Sequence, residues 1–280
     1  MAVNIFEKYG IKEVANVYFE ALDSDPSNGI EKGDIVLYLD TLKVSTIETT
    51  AENVAAQGGW GNPKLVMWDY GKEINLTLED ALISLESLRF MMGGAIKQAN
   101  GKDEYVVVNL TEQAKLTEAN KLPTLRDHLN SEVIYTPTEY RWVNMTKGTR
   151  GAAPVVGEIG DEVRFFWTKK VANSADAAVE ITISPNTFPG TYKVVGDTFM
   201  RSEKTGKDEP FQFVIGKAKV LSEVTITLEA EGDPSTFEMQ LNVLRSTNER
   251  GENEMMKLIR YNAADVNADS GEFEKANEET

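Results

Sequence analysis

The sequence predicts a mainly β fold, in which antiparallel strands form a sandwich or barrel with one flanking α-helix. One observation is the alternation of apolar and polar residues with a period of two, which places successive side chains on opposite faces of a strand. In "EINLTLE", Ile74, Leu76 and Leu78 share one face and the polar side chains share the other. The second observation is a set of turn clusters, such as "SPNTFPG", "KTGKDEP" and "EGDPS", which separate the alternating stretches.

The same patterns predict the other strands. Three further stretches alternate clearly, at 179–183, 224–228 and 237–243. The remaining predicted strands lie at 14–20, 35–45, 63–70, 105–110, 163–168, 191–200, 211–220 and 256–261.

One segment, "TLEDALISLESLRFMMGG", has a helical period instead. Thr77 and Asp80 resemble a capping box at its start, and Gly93 supplies a stop at its end. This helix is therefore predicted to follow directly from a strand. Three of its leucines are expected to pack on the sheet: Leu82, Leu85 and Leu88. A second, weaker helix is predicted over 111–120, "TEQAKLTEAN".

Composition and charge exclude several classes of function. The 280 residues include 45 acidic and 29 basic side chains, a formal charge of −16, which repels phosphates and argues against a conventional DNA-binding protein. Without cysteine there are no disulfides, thiolate nucleophiles or Cys-ligated metal centres. The first residues lack the pattern of a signal peptide, and no apolar run approaches the ~18 residues of a membrane span. We therefore expect a protein that is made in the cytoplasm and does not enter a membrane.

The stretch "QGGWGNP" is the most glycine-dense part of the chain. A phosphate-binding loop needs a helix N-terminus directly after its glycines, but here Pro63 and a strand-like stretch follow. Two interpretations remain, a flexible hairpin tip and an extended arm used in assembly. Trp60 favours the arm, because an exposed indole commonly anchors an interface. The residues assigned to this oligomerisation arm are Gln57, Gly58, Gly59, Trp60, Gly61 and Asn62.

The stretch "DSDPSNGIEKGD" spaces its oxygen-bearing side chains like the ligands of a calcium loop. An EF-hand needs glycine at the sixth position, where this chain has Asn28, and Gly29 comes one place late. The segment also lies between two strand-like runs. A polar hairpin loop is therefore predicted instead of a metal site.

Catalytic constellations are equally weak. His128 is the only histidine, and the chain contains no GxSxG motif to accompany it. Two carboxylates would suffice for a glycoside hydrolase, but spacing cannot single out a pair among 45 acids. The four tryptophans could form a sugar-stacking platform, although such residues near strands are more often in a core or an interface: Trp60, Trp68, Trp142 and Trp167. We predict no catalytic residue, no cofactor and no metal.

Two long stretches resemble the tail tube proteins, or major tail proteins, of bacteriophages. In "TLKVSTIETTAENVAAQGGWGNPKLVMWDYGKEINLTLEDALISLESLRFM", a strand leads into a long loop, a second strand returns, and its end opens the flanking helix. The stretch "PFQFVIGKAKVLSEVTITLEAEGDPSTFEMQLNVLR" is similar to the last strands of such proteins. The resemblance covers residues 35–95 and 190–262, whereas 99–160 depart from it and are interpreted as an insertion.

The resemblance implies a structural protein of the virion tail, made in the host cytoplasm and not an enzyme. A tail-tube-like β domain over 1–262 would precede an acidic tail at 263–280. Its partners would be further copies of itself in hexameric rings, other tail proteins, and double-stranded DNA that passes without specific binding. The long loop "ETTAENVAAQGGWGNPK" would reach an adjacent subunit or ring. The candidate acids of the lumen are Glu73, Glu229 and Glu238.

Two other functions remain open at this stage. A capsid or capsid-decoration protein would share the acidic, cysteine-free, β-rich profile. A carbohydrate-binding or glycan-cleaving β protein could use the tryptophans and acids.

Overall fold

The computed structural model describes residues 6–26, 28–98, 105–126, 134–171, 178–222, 236–248 and 250–261. Within these ranges it contains antiparallel sheets and one helix, so the predicted mainly β class is confirmed. In chain order the elements are β1 (Tyr9–Ile11), β2 (Asn16–Ala21), β3 (Ile35–Leu39), β4 (Leu42–Gln57), β5 (Lys64–Asp80), α1 (Leu85–Met92), β6 (Ala95–Gln98), β7 (Val106–Lys115), β8 (Leu125–Arg126), β9 (Ile134–Tyr135), β10 (Arg141–Asn144), β11 (Thr149–Ala152), β12 (Glu162–Val171), β13 (Val179–Thr182), β14 (Thr191–Ser202), β15 (Asp208–Val220), β16 (Phe237–Val243), β17 (Ser246–Thr247), β18 (Asn253–Glu254) and β19 (Lys257–Arg260).

The chain divides into two compact units. Unit 1 comprises residues 1–95 and 183–280, and unit 2 comprises 96–182, which is longer than the insertion interpreted from the sequence at 99–160. Strands β6 and β13 pair with each other where the chain enters and leaves unit 2.

Unit 1 is built on a nine-stranded sheet with the main order β3-β2-β14-β15-β16-β5-β4, to which β1 and β19 are added beside β14 and β15. Its apolar face forms one core from the alternating residues of these strands, including Phe19, Leu76, Ile215 and Leu241. Leu39 on β3 and Met239 on β16 line the same small cavity although their strands are far apart in the sheet order. The sheet therefore curls around its apolar face.

Helix α1 covers part of this core. Phe90 is 2% exposed, and its ring lies 4.8 Å from that of Phe19 and 4.4 Å from that of Tyr192. Gly93 ends the helix as predicted, with a positive φ of 65°. A Cβ at Gly93 would lie 2.5 Å from the backbone carbon of Phe188, so only glycine fits here.

The predicted start of the helix was wrong. Strand β5 continues through Thr77 to Asp80, and the capping box is formed by Ser84 and Ser87, whose backbone N–H groups each donate to the other's hydroxyl at 2.9 Å. The predicted packing was wrong for two of the three leucines. Leu82 is 65% exposed and Leu85 49% exposed, whereas Leu88 packs against the core. With eight residues, α1 is too short to cross a membrane, and it is the only helix in the described ranges.

Unit 2 contains a four-stranded sheet of order β11-β10-β12-β7. One face packs into a core that includes Trp142, Phe165 and Trp167. Asp161 is 6% exposed and accepts hydrogen bonds from the Asn144 side chain at 2.8 Å and from the Glu158 backbone N–H at 2.9 Å. These bonds are the main reason why the pKa of Asp161 lies below its usual value.

The helix predicted over 111–120 was also wrong, because residues up to Lys115 belong to β7 and pair with β12. The alternation of Val106, Val108 and Leu110 extends across this segment, so the partner strand overrides its local helix propensity. Several sequence expectations fall outside the described residues: the strand at 224–228, Ser27 of the calcium-like loop, His128, Glu229 and the acidic tail.

Candidate assembly arm and polar sheet face

Strands β4 and β5 extend together well beyond the sheet. They pair from Leu42 and Asp80 to Gln57 and Lys64, whereas β16 pairs with β5 only between Asn75 and Asp80. Residues 50–73 therefore form a two-stranded hairpin, here called the arm. At ~3.3 Å per residue, its eight-residue β4 side projects about 26 Å.

The tip of the arm explains the glycine-rich sequence. Gly59, Gly61 and Asn62 all have positive φ angles, of 84°, 81° and 49°. The turn is closed by hydrogen bonds from Gly58 N to Pro63 O at 3.2 Å and from Asn62 N to Gly59 O at 3.1 Å. The long loop inferred from the sequence is thus mostly strand, because its residues up to Gln57 pair with β5 and only 58–63 form the turn.

The arm exposes large apolar side chains. Trp60 at the tip is fully exposed, and Val54 lies opposite Trp68, which is 55% exposed. Leu65, Val66, Met67 and Tyr70 are also exposed. An isolated two-stranded hairpin is only marginally stable in water, and clustered exposed apolar residues mark interaction surfaces. The arm thus has the chemistry of an interface.

A β-bulge decides which way the aromatic residues point. Thr50 pairs with Glu73 and Glu52 pairs with Tyr70, so β5 has one more residue than β4 between these pairs. Gly71 lies in this bulge with a φ of 61°. If β5 alternated regularly through Gly71, Tyr70 would share a face with the core residue Ile74; because of the bulge it lies on the face of Glu73. Val66 and Trp68 follow on that face.

Below the arm, the same face of the sheet is polar. Three cross-strand pairs join β5 to β16 there: Asn75 with Asn242, Thr77 with Gln240 and Glu79 with Glu238. By strand alternation, the candidate acids Glu73 and Glu238 lie on this polar face. Glu79, which was not selected from the sequence, lies directly opposite Glu238. Its place in the period-two pattern of "EINLTLE" could have identified it.

The polar face continues on β2, β14 and β15 with paired groups. Lys193 Nζ lies 2.8 Å from Glu20 Oε2, and the Gln212 amide donates to Asp197 Oδ1 at 2.7 Å. Burial raises the pKa of Tyr18, and the charge of Asp197 adds to this effect. The charge of Lys193 on this part of the face is thus offset by Glu20.

The two outermost strands of the sheet, β3 and β4, have no strand on their outer sides among the described residues. Their edge N–H and C=O groups can pair with another chain. Edge strands of this kind are a template for assembly or aggregation unless a partner covers them.

The other candidate sites have structural explanations. Asp25 accepts from the Asn28 side chain at 2.7 Å and Asp34 from the Glu31 backbone at 2.7 Å, within the turn that joins β2 to β3. No group of three His, Cys, Asp or Glu residues in the described ranges could hold a metal ion. Trp142 and Trp167 are both 5% exposed and belong to the core of unit 2, so they present no platform for a sugar.

Sequence comparison identifies the family. A model of the YomU/Tube protein family matches residues 9–257, which includes the whole arm, all of unit 2 and most of both parts of unit 1. The chain belongs to the YomU/Tube protein family. The match confirms the resemblance to bacteriophage tail tube proteins that the sequence indicated. A search of curated proteins found no match.

Proposed function

We propose that this member of the YomU/Tube family is the tail tube subunit of a bacteriophage virion, and that it forms stacked rings through which DNA is delivered. The role is structural and not catalytic. The observation that carries the proposal is the arm, which exposes Trp60 at its tip and Trp68 on the face that continues the polar face of the sheet.

The arm supplies the contact between subunits. Exposed aromatic side chains at Trp60, Trp68 and Tyr70 are the residue types that dominate interface energetics. Burying them against a neighbouring subunit or the next ring removes their apolar surface from water. It also stabilises a hairpin that pairs with no third strand among the described residues.

The exposed edges supply the second contact. If the outer side of β4 pairs with the outer side of β3 in the next subunit, the sheets join around a closed ring with no free edge. By resemblance to tail tube proteins, we propose six subunits in each ring. A closed ring uses both edges of every subunit equally.

The polar face is then the lining of the lumen. Unit 1 carries nearly all of the net charge, since unit 2 has 11 basic and 12 acidic residues, a net charge of −1 out of −16. Carboxylates at Glu73, Glu79 and Glu238 repel DNA phosphates and provide no site of adhesion. DNA therefore passes without being bound.

Electron microscopy of the purified chain tests the proposal. We expect hollow tubes or stacked rings, and we expect the double variant Trp60→Ala, Trp68→Ala to stay folded by circular dichroism and to remain monomeric. Trp142→Ala is the contrasting variant, because removal of this core indole should destabilise unit 2 without touching the arm. Shells instead of tubes, or normal tubes from the double variant, would contradict the proposal.

A further inference from the structure

The outward face of the unit 2 sheet carries a cluster of arginines. In one row across the strands, Arg150 on β11 is opposite Val143 on β10, which is opposite Arg164 on β12. In the next row, Arg141 on β10 is opposite Phe166 on β12. All three arginines are exposed, and Phe166 is 40% exposed. We call these four residues the arginine face.

The charges of this face are not neutralised locally. Arg164 donates to the amide oxygen of Gln113 at 3.0 Å, and none of the three arginines has a carboxylate partner among the described residues. Elsewhere, the exposed Arg201 forms a two-point contact with Asp208. The arginine face therefore offers three guanidinium groups without an ion-pair partner in the described part of the chain, and guanidinium groups bind carboxylates in a fixed two-point geometry.

The spacing of the cluster suits an extended acidic peptide. Arg150 and Arg164 are two strands apart, about 10 Å, and Arg141 is two residues along the strand from their row, about 7 Å. In an extended chain, carboxylates at positions i and i+2 are also about 7 Å apart.

The acidic tail, residues 263–280, has the matching composition. It contains six acids and one lysine, a net charge of −5, and includes the sequence Glu272-Phe273-Glu274. Two carboxylates at this spacing complement the arginines, and an aromatic ring complements the exposed Phe166. Just after the end of β19, the backbone N–H of Tyr261 donates to the carbonyl of Pro210 on β15. The tail begins two residues later and is long enough to reach well beyond its own subunit's strand β19.

We propose that the arginine face binds the acidic tail of a second copy of this chain, in an inference that rests on the proposed self-assembly. The net charge of −16 repels every free polyanion, the isolated tail peptide as well as DNA. A tail on a subunit already held in a tube is at high effective concentration, which offsets this repulsion without any further contact.

A peptide assay tests the contact without any need for tubes. The probe is a fluorescent peptide of residues 263–280, and the receptor is the chain truncated after Asn262, at a concentration at which it is monomeric. We expect saturable binding that weakens as salt rises, and a loss of at least about tenfold with the receptor variant Arg141→Glu, Arg150→Glu. The receptor variant Lys12→Glu, Lys32→Glu carries the same change of charge on exposed positions of unit 1 and should bind as the parent does.

Equal loss in both receptor variants would show a general charge effect and overturn the proposal. Tighter binding of a single-stranded oligonucleotide of equal charge would assign the face to nucleic acid instead. Failure of the peptide to bind would refute the contact even if the chain forms normal tubes.

A pull-down shows whether the arginine face binds the tail of a second copy or the tail of its own chain. The full-length chain with Arg141→Glu, Arg150→Glu has a tail but no arginine face, and the truncated chain has the face but no tail. We expect the truncated chain to capture this variant and also the full-length parent. Capture of the variant alone would mean that the parent's tail occupies its own arginine face, which would overturn the assignment to a second copy.

Discussion

Glu79 on β5 and Glu238 on β16 lie directly opposite each other on the polar face of the unit 1 sheet. Like charges in this position destabilise a pair of strands. In the tube proposed above, repulsion of DNA phosphates would be a physical reason to keep both carboxylates there.

Replacing one member of this pair should stabilise the subunit. Glu238→Lys creates an opposite-charge pair with Glu79, and we expect the free energy of unfolding to rise by about 0.2–1 kcal/mol at low salt. Glu73→Lys is the control, because its partner Thr50 is uncharged and no gain is expected. Urea unfolding of both variants measures the difference, and equal effects would count against the cross-strand pair.

The same face should govern the passage of DNA. In virions that carry Glu73→Lys and Glu238→Lys together, we expect tubes to form and DNA ejection to be slower, because lysines in the lumen would bind phosphates. The defect should ease as salt rises. The control, Glu118→Lys with Glu139→Lys, makes the same change of charge on exposed positions of unit 2. Unchanged ejection at two salt concentrations would show that these acids do not line the path.

The bulge at Gly71 should be needed for assembly. Inserting one residue after Ala51 gives β4 as many residues as β5 between the two pairs, which removes the bulge, so Tyr70 and Trp68 move to the opposite face of the arm. We expect a folded subunit that does not form tubes. Gly71→Ala keeps the bulge and places alanine at a positive φ, so it should lose about 1–2 kcal/mol of stability but retain assembly. Light scattering and electron microscopy of both variants measure assembly and show whether the register of the arm or the strain at residue 71 controls it.

Within helix α1, the buried side chain of Phe90 should stabilise unit 1 more than the exposed side chain of Leu85 does. Phe90→Ala is expected to lower the free energy of unfolding by about 3–5 kcal/mol, because the Phe90 side chain is only 2% exposed and its ring packs against those of Phe19 and Tyr192. Leu85→Ala, at a position that is 49% exposed, should change it by less than about 0.5 kcal/mol. Denaturant unfolding measures both. A large loss from Leu85→Ala alone would mean that its side chain packs in solution.

Asp161 should make the stability of unit 2 depend on pH. Its pKa is lowered in the folded chain, so its contribution is present above the unfolded value of about 3.9 and is lost as pH falls through the folded pKa. Asp161→Asn should reduce the thermal midpoint at pH 7 and flatten its decline in acid. Glu118→Gln, at an exposed position, should leave both unchanged. A parallel acid decline in Asp161→Asn and the parent would exclude this group as the cause.

Local patterns were sufficient for much of the fold. Alternation at Ile74, Leu76 and Leu78 predicted a half-buried strand, because side-chain direction in a strand depends only on sequence position. Gly93 predicted the end of the helix, because a helix commonly ends at a residue with a positive φ, which glycine adopts without strain and other residues rarely adopt. The glycines around Trp60 left two interpretations, a hairpin tip and an extended arm, and the structure shows that they form the tip of a hairpin. The use of that turn in assembly remains a proposal.

Other features depended on contacts that are distant in sequence. The start of α1 was misplaced because β16 pairs with β5 as far as Asp80 and keeps Thr77 in a strand. The segment at 111–115 became a strand because β12 pairs with it.

The sequence by itself determined the β class, the charge, the helix end and the glycine tip, because each of these follows from neighbouring residues. Only the tertiary structure decided that the long loop is a paired hairpin and that its aromatic residues share a face with Glu73. Register is set by which residues meet across two strands, and because of the bulge at Gly71 the residues beyond it lie on the face opposite to the one that simple alternation predicts. The sequence contains that residue but does not show which strand position it leaves unpaired.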